Sequence, residues 1–136
     1  MTSSTNQRAQ RPAVATRTFR TAKGVEVTAT LYVPVPIPPD EWRCDFQVVG
    51  LPEELNGHAR GLDSLQALII GLEGLRVYLE RTQEPMTWEE GEPGDLGIPR
   101  FIPQGYGVAV EKHLAAVVSD EITRLVEERR GSKRPT

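Results

Sequence analysis

The sequence predicts an α+β domain, a three-stranded antiparallel β-meander with one long core helix packed on one face and a C-terminal helix. Three observations predict it. Val25–Val33 and Trp42–Val49 alternate apolar and polar side chains, the period of half-buried strands. Gly61–Thr82 carries leucines at helical spacing behind a capping signal. Val108–Arg130 carries a second amphipathic series.

The chain has 136 residues, enough for one domain, which the pattern places over residues 13–130 between polar tails at 1–12 and 131–136. No run approaches the roughly 20 apolar residues of a membrane helix, and MTSSTNQRAQRP has no apolar segment of a secretory signal. The expected location is the cytoplasm. A single cysteine excludes an internal disulfide and a cysteine-rich zinc site.

Charge is divided unevenly. Residues 1–23 hold five Lys/Arg and no acid, and residues 129–136 hold four and no acid. The other seven face all 19 acids within residues 24–128, a balance of −12. Phosphate contacts need clustered Lys/Arg, so an acidic body argues against nucleic-acid binding by the folded domain.

Taken in order, Ala13–Thr21 is a first strand with poor alternation, since Arg17 and Phe19 share a face, and a sheet edge tolerates such mixing. Thr21–Gly24 reads as a tight reversal, with Gly24 free to take positive φ. In the second strand Val25, Val27, Ala29, Leu31 and Val33 point one way. Pro34–Pro39, PVPIPP, ends it as a stiff extended connector, too short to read strongly as a polyproline ligand. In the third strand Trp42, Cys44, Phe46 and Val48 face inward while Arg43, Asp45 and Gln47 face out. Cys44 is therefore expected to be a small buried apolar residue. A nucleophilic role would need an exposed, electropositive setting and a histidine. His58 is expected in a loop, Gly50–Gly61, and His113 in the last helix.

Asp63, followed by Gln66, is a capping-box pattern that starts the core helix. Leu65, Leu68, Ile69, Leu72, Leu75 and Leu79 form its expected core stripe. Ile70 and Val77 lie off that stripe, one heptad apart, and are candidates for an interaction surface. Gly71 and Gly74 each cost about 1 kcal/mol in a helix interior, which is either tolerated or explained by a close backbone approach.

Trp88 opens WEEGEPGDLGIPRFIPQGYG, dense in Gly and Pro turn signals. Its acids do not fit the spacing of an EF-hand loop, and Gly94–Gly97 lacks the Lys-Ser/Thr of a P-loop. The expectation is a structured loop that packs Trp88, Leu96, Ile98 and Phe101 over the sheet or helix. No cofactor or metal is expected. In the last helix Ser119–Asp120 can mark a break, residues 108–118 also fit a strand, and Gly131 is a good stop.

Three signatures stand out in the chain: Trp42-Arg-Cys44 on a strand, Gly61-Leu-Asp-Ser-Leu-Gln-Ala-Leu68 opening the helix, and Gly94-Asp-Leu-Gly-Ile-Pro99. Together they resemble a family of small bacterial proteins classed as a domain of unknown function. The resemblance covers roughly residues 25–100. It implies an α+β module of bacterial genomes and supplies no activity, cofactor or catalytic residue.

The absence of a catalytic set, the acidic body and the Ile70/Val77 pair favour a non-catalytic protein-interaction module, one form being an immunity-like neutraliser of a basic partner. A homodimeric structural module is the alternative. An enzyme or ligand-binding domain would have to use Asp63, Ser64, Asp95 and Arg100, brought together if the Gly94–Pro99 turn packed at the helix N-terminus. Against this, Asp63 can cap, Asp95 can organise its own turn, and no histidine is near them in sequence.

Overall fold

Alternation, tight turns and small residues at close approaches build six strands in one antiparallel sheet. The computed structural model describes residues 11–102 and 105–133. The strands are β1 Ala13–Thr21, β2 Glu26–Tyr32, β3 Val35–Ile37, β4 Glu41–Val49, β5 Leu55–Gly61 and β6 Met86–Thr87. The helices are α1, Ser64–Arg81, and α2, Val108–Lys133. The chain divides between Pro99 and Arg100 into two compact units, where the sequence pattern marks one domain over 13–130.

The hairpin of β1 and β2 turns where expected. Gly24 has φ 82°, its N–H donates to Thr21 O at 2.9 Å, and Val25 N–H donates to the Thr21 hydroxyl at 3.1 Å. Val27, Ala29 and Leu31 are buried, while Val25 and Val33 at the strand ends are exposed.

β4 is the central strand. β2 pairs with its second half, β3 with its first half on that same side, and β5 runs along its other side. β6 closes part of the far edge of β1. The expected three-stranded meander is therefore corrected to six strands. The PVPIPP connector folds back and pairs Val35–Ile37 with Glu41–Arg43, an edge position that tolerates proline. The expected loop Gly50–Gly61 is mostly β5. Its inward positions are Gly57, Ala59 and Gly61 because there is no room for more: a Cβ on Gly57 would lie 2.5 Å from the Phe46 ring, and one on Gly61 2.4 Å from Ala67 N.

α1 begins as its capping pattern predicts. Gln66 N–H donates to Asp63 Oδ1 at 2.7 Å, and Gln66 Oε1 accepts from Leu62 N–H at 2.6 Å, one residue before the cap. The buried face is Ala67, Gly71, Leu75, Arg76 and Leu79. That face overlaps the expected leucine stripe without coinciding with it: Leu75 and Leu79 are in the core and Leu68 and Leu72 pack against it, but the helix is rotated toward Ala67 and Gly71. The small residues let the helix backbone press on β4, with a Cβ on Gly71 only 2.8 Å from Cys44 Sγ. Leu65 and Ile69 are left exposed.

The core joins Phe19, Val27, Leu31, Cys44, Phe46, Val48, Leu75, Leu79, Met86 and Leu96. α2 is helical throughout, without a break at Ser119–Asp120, and continues through Gly131. Of the expected tails at 1–12 and 131–136, residues 1–10 and 134–136 lie outside the described residues, and 131–133 are corrected to the last turn of α2. Arg11 and Pro12 are held by the sheet: Val33 N–H donates to Pro12 O at 3.0 Å.

Candidate functional site

α1 packs over β4 and β5 and only lightly over β2. The β1 side of that face is covered instead by the segment after β6. Leu96 sits in the core, Trp88 and Ile98 pack against it, and one arginine ties the segment to β1. Arg17 lies with its guanidinium carbon 3.9 Å from the Trp88 ring centroid and donates to Leu96 O at 3.1 Å and Gly97 O at 2.8 Å. Asp95 Oδ1 accepts from Gly97 N–H at 3.0 Å, closing the turn, and Gly94 N–H donates to Met86 O at 2.8 Å. Gly97 has φ 67°, and a Cβ there would lie 2.3 Å from the Trp88 ring, so no other residue fits without a shift.

Between this turn and α1 an apolar cleft of about 190 Å³ stays open. Ala29 and Leu31 form its floor, Leu72 and Leu75 one wall, and Ile98 and Pro99 the other. Ala15 and Thr16 of β1 reach its margin, and among the described residues Arg17 is its one charged neighbour. Leu65, Ile69 and Leu72 fall at i, i+4 and i+7 of α1, on one stripe. The uncovered apolar side of the helix therefore runs directly into the cleft. Leu65 is 63% exposed and Ile69 41%. A wider recess between Leu51–Leu55 and Tyr78–Glu84 is lined by Glu53, Arg81 and Glu84, and is less apolar in character.

The residues singled out from the sequence are dispersed. Asp63 caps α1 and Ser64 is its first residue. Gly94 and Leu96 share a recess with Leu79 and Thr82 at the other end of α1, roughly 22 Å along the axis at 1.5 Å per residue. Asp95 is thus not brought to Asp63 and Ser64, and Arg100 falls past the division of the chain. Ile70 is exposed and Val77 half-buried. Trp42 and Trp88 pack against the core from its margin. Cys44 is fully buried, its Sγ 3.4 Å from Tyr32 O. Burial pushes its thiol up to about 11, the opposite of what a nucleophile needs.

One feature escaped the sequence pattern. Asp45, on the outer face of β4, is only 1% exposed. Arg11 forms an ion pair with it, and Arg43 Nε lies 3.1 Å from Oδ1. His58 stands opposite it on β5. The same face carries Tyr32 Oη donating to Gln47 at 3.0 Å and Gln47 donating to Glu54 at 2.8 Å. The arginine that buries Asp45 comes from residue 11, remote in sequence, so strand alternation alone had no signal for it.

Among the described residues no three His, Cys, Asp or Glu side chains gather as metal ligands, and no helix is long and apolar enough to cross a membrane. An apolar slot with one engaged arginine at its rim suits burial of an apolar side chain rather than proton transfer.

Comparison with curated proteins and with solved structures found no match. A family profile matches residues 15–100, which takes in β1 from Ala15, β2 to β6, α1 and the Gly94–Pro99 turn and leaves out Arg11 and α2. The chain belongs to the family described as Domain of unknown function (DUF6968).

Proposed function

We propose that the chain is a non-catalytic protein-interaction module that receives an apolar side chain of a protein partner in the cleft beside α1. The observation that carries this reading is the exposed pair Leu65 and Ile69, in line with the half-buried Leu72 that forms a wall of a preformed apolar slot. A large apolar anchor in a pocket is the usual centre of a protein interface. Glu89, Glu90 and Glu92, all exposed, follow Trp88 in the loop that leads to the cleft wall. A partner with basic residues flanking its anchor fits this surface and the −12 balance of residues 24–128. Neutralisation of a basic partner, as an immunity protein performs it, is one form of such a role, and the bacterial cytoplasm is its setting.

The test is capture by the tagged chain at low and high salt, beside Ala15→Arg, which places a long charged side chain at the margin of the cleft. The expected result is one stoichiometric partner, lost at high salt and lost with Ala15→Arg. A partner retained by Ala15→Arg would remove the cleft from the proposal, and no partner at low salt would remove the interaction reading itself.

A further inference from the structure

α2 spans 26 residues, about 39 Å of helix at 1.5 Å per residue. Its apolar side chains are about half exposed: Val118 47%, Ile122 56% and Leu125 50%. Their placement is regular. Glu111, Ala115, Val118, Ile122, Leu125 and Arg129 follow one another at steps of 4, 3, 4, 3 and 4 residues, a coiled-coil seam. The seam has an acid at one end, a base at the other and only apolar residues between.

Such a seam is complementary to itself when reversed. Set antiparallel, with Val118 of one copy facing Ile122 of the other, the same register brings Ala115 to Leu125 and Glu111 to Arg129. Two-fold symmetry makes each of these contacts twice. A small residue meets a large one, as packing of facing positions requires, and each end closes on opposite charges. The helix dipoles also oppose favourably. A parallel pair would set Glu111 against Glu111 and Arg129 against Arg129. Glu121 lies beside the seam near the symmetry axis and brings its own counter-ion. Arg124 is 2.5 Å from Glu121 and 2.9 Å from Glu128 within the same helix.

We propose that α2 is a self-association helix through which two copies of this chain pair, antiparallel and two-fold symmetric. The family match ends at residue 100, so this interface belongs to a segment carried beyond the family domain. The proposal does not rest on the cleft, which lies in the other unit of the chain.

The experiment is sedimentation velocity of the full chain over a concentration series at low salt, with helix content followed by circular dichroism. Wild type is expected to show a monomer–dimer equilibrium. Glu111→Arg and Arg129→Glu are each expected to raise the dissociation constant about tenfold or more, because each turns two attractive contacts into repulsive ones. The double variant Glu111→Arg/Arg129→Glu is expected to restore association, and Ile122→Glu to abolish it. A monomeric wild type, single charge variants that dimerise like wild type, or a double variant that stays monomeric would each overturn the proposal. If one single variant loses helix, the double variant still decides, because it carries both changes.

Discussion

Gly71 illustrates how one residue can invert a general rule. Replacing a helix-interior glycine by alanine ordinarily stabilises by about 1 kcal/mol. At Gly71 the new Cβ would stand 2.8 Å from Cys44 Sγ and 3.1 Å from Cys44 Cβ, inside a full core. Overpacking of that kind costs about 1–3 kcal/mol, so Gly71→Ala is expected to destabilise in chemical denaturation. Cys44→Ala removes the closer atom, so the cost of Gly71→Ala should shrink in that background, a coupling that a double-mutant cycle reads directly. Additive effects would show that the two positions do not touch. Gly131 serves as the control, since no described residue lies within 4 Å of its Cβ position, and Gly131→Ala should not destabilise. At this scale much was legible: Asp63 and Gln66 by their spacing, Cys44 by alternation, and close approach as one of two readings of Gly71. Asp45 was not, because its burial depends on Arg11, and no local pattern announces a contact across more than 30 positions.

Among the elements, legibility followed side-chain size. β2 and β4 alternate large apolar and polar residues and declare their faces. β5 hides because its inward residues are Gly57, Ala59 and Gly61, and its Asn56-Gly57 reads as a turn. The leucine spacing places Leu75 and Leu79 in the core and Leu68 and Leu72 against it, but not Leu65 and Ile69, for the same reason: the helix also packs through Ala67 and Gly71, where backbones can approach most closely, and is rotated toward them. The cleft follows from that rotation, so it could not be seen before the helix was placed. The turn after β6 depends on Arg17, which breaks the alternation of β1 yet stacks on Trp88 and donates two hydrogen bonds to the turn. Arg17→Ala is expected to cost about 1–3 kcal/mol from the stack and the hydrogen bonds together. Arg17→Lys should not restore the loss, because an ammonium lacks the flat face and the fork of donors. Faster amide hydrogen exchange at Asp95 and Gly97 in both variants is the readout. Unchanged exchange in Arg17→Ala would mean that the turn holds itself.

At the scale of the whole molecule, the apolar core runs from Phe19 to Leu96, entirely within the first unit, and the family match ends within one residue of the division at Pro99. A domain of about 100 residues can bury enough surface to fold alone. A chain ended at Pro99 is therefore expected to keep its strand signal in circular dichroism and to melt in one cooperative transition. It retains every residue that lines the cleft, and so should still capture a partner in the assay that Ala15→Arg blocks. It lacks Glu111 to Arg129 and should sediment as a monomer at concentrations where the full chain associates. The two surfaces can thus be separated by one truncation, since each proposal assigns its binding to a different part of the chain. Partner capture lost together with self-association would show that the partner reads residues beyond Pro99, or reads the pair of copies rather than the cleft. A gradual, non-cooperative melt of the shortened chain would place part of the core's stability in those residues as well.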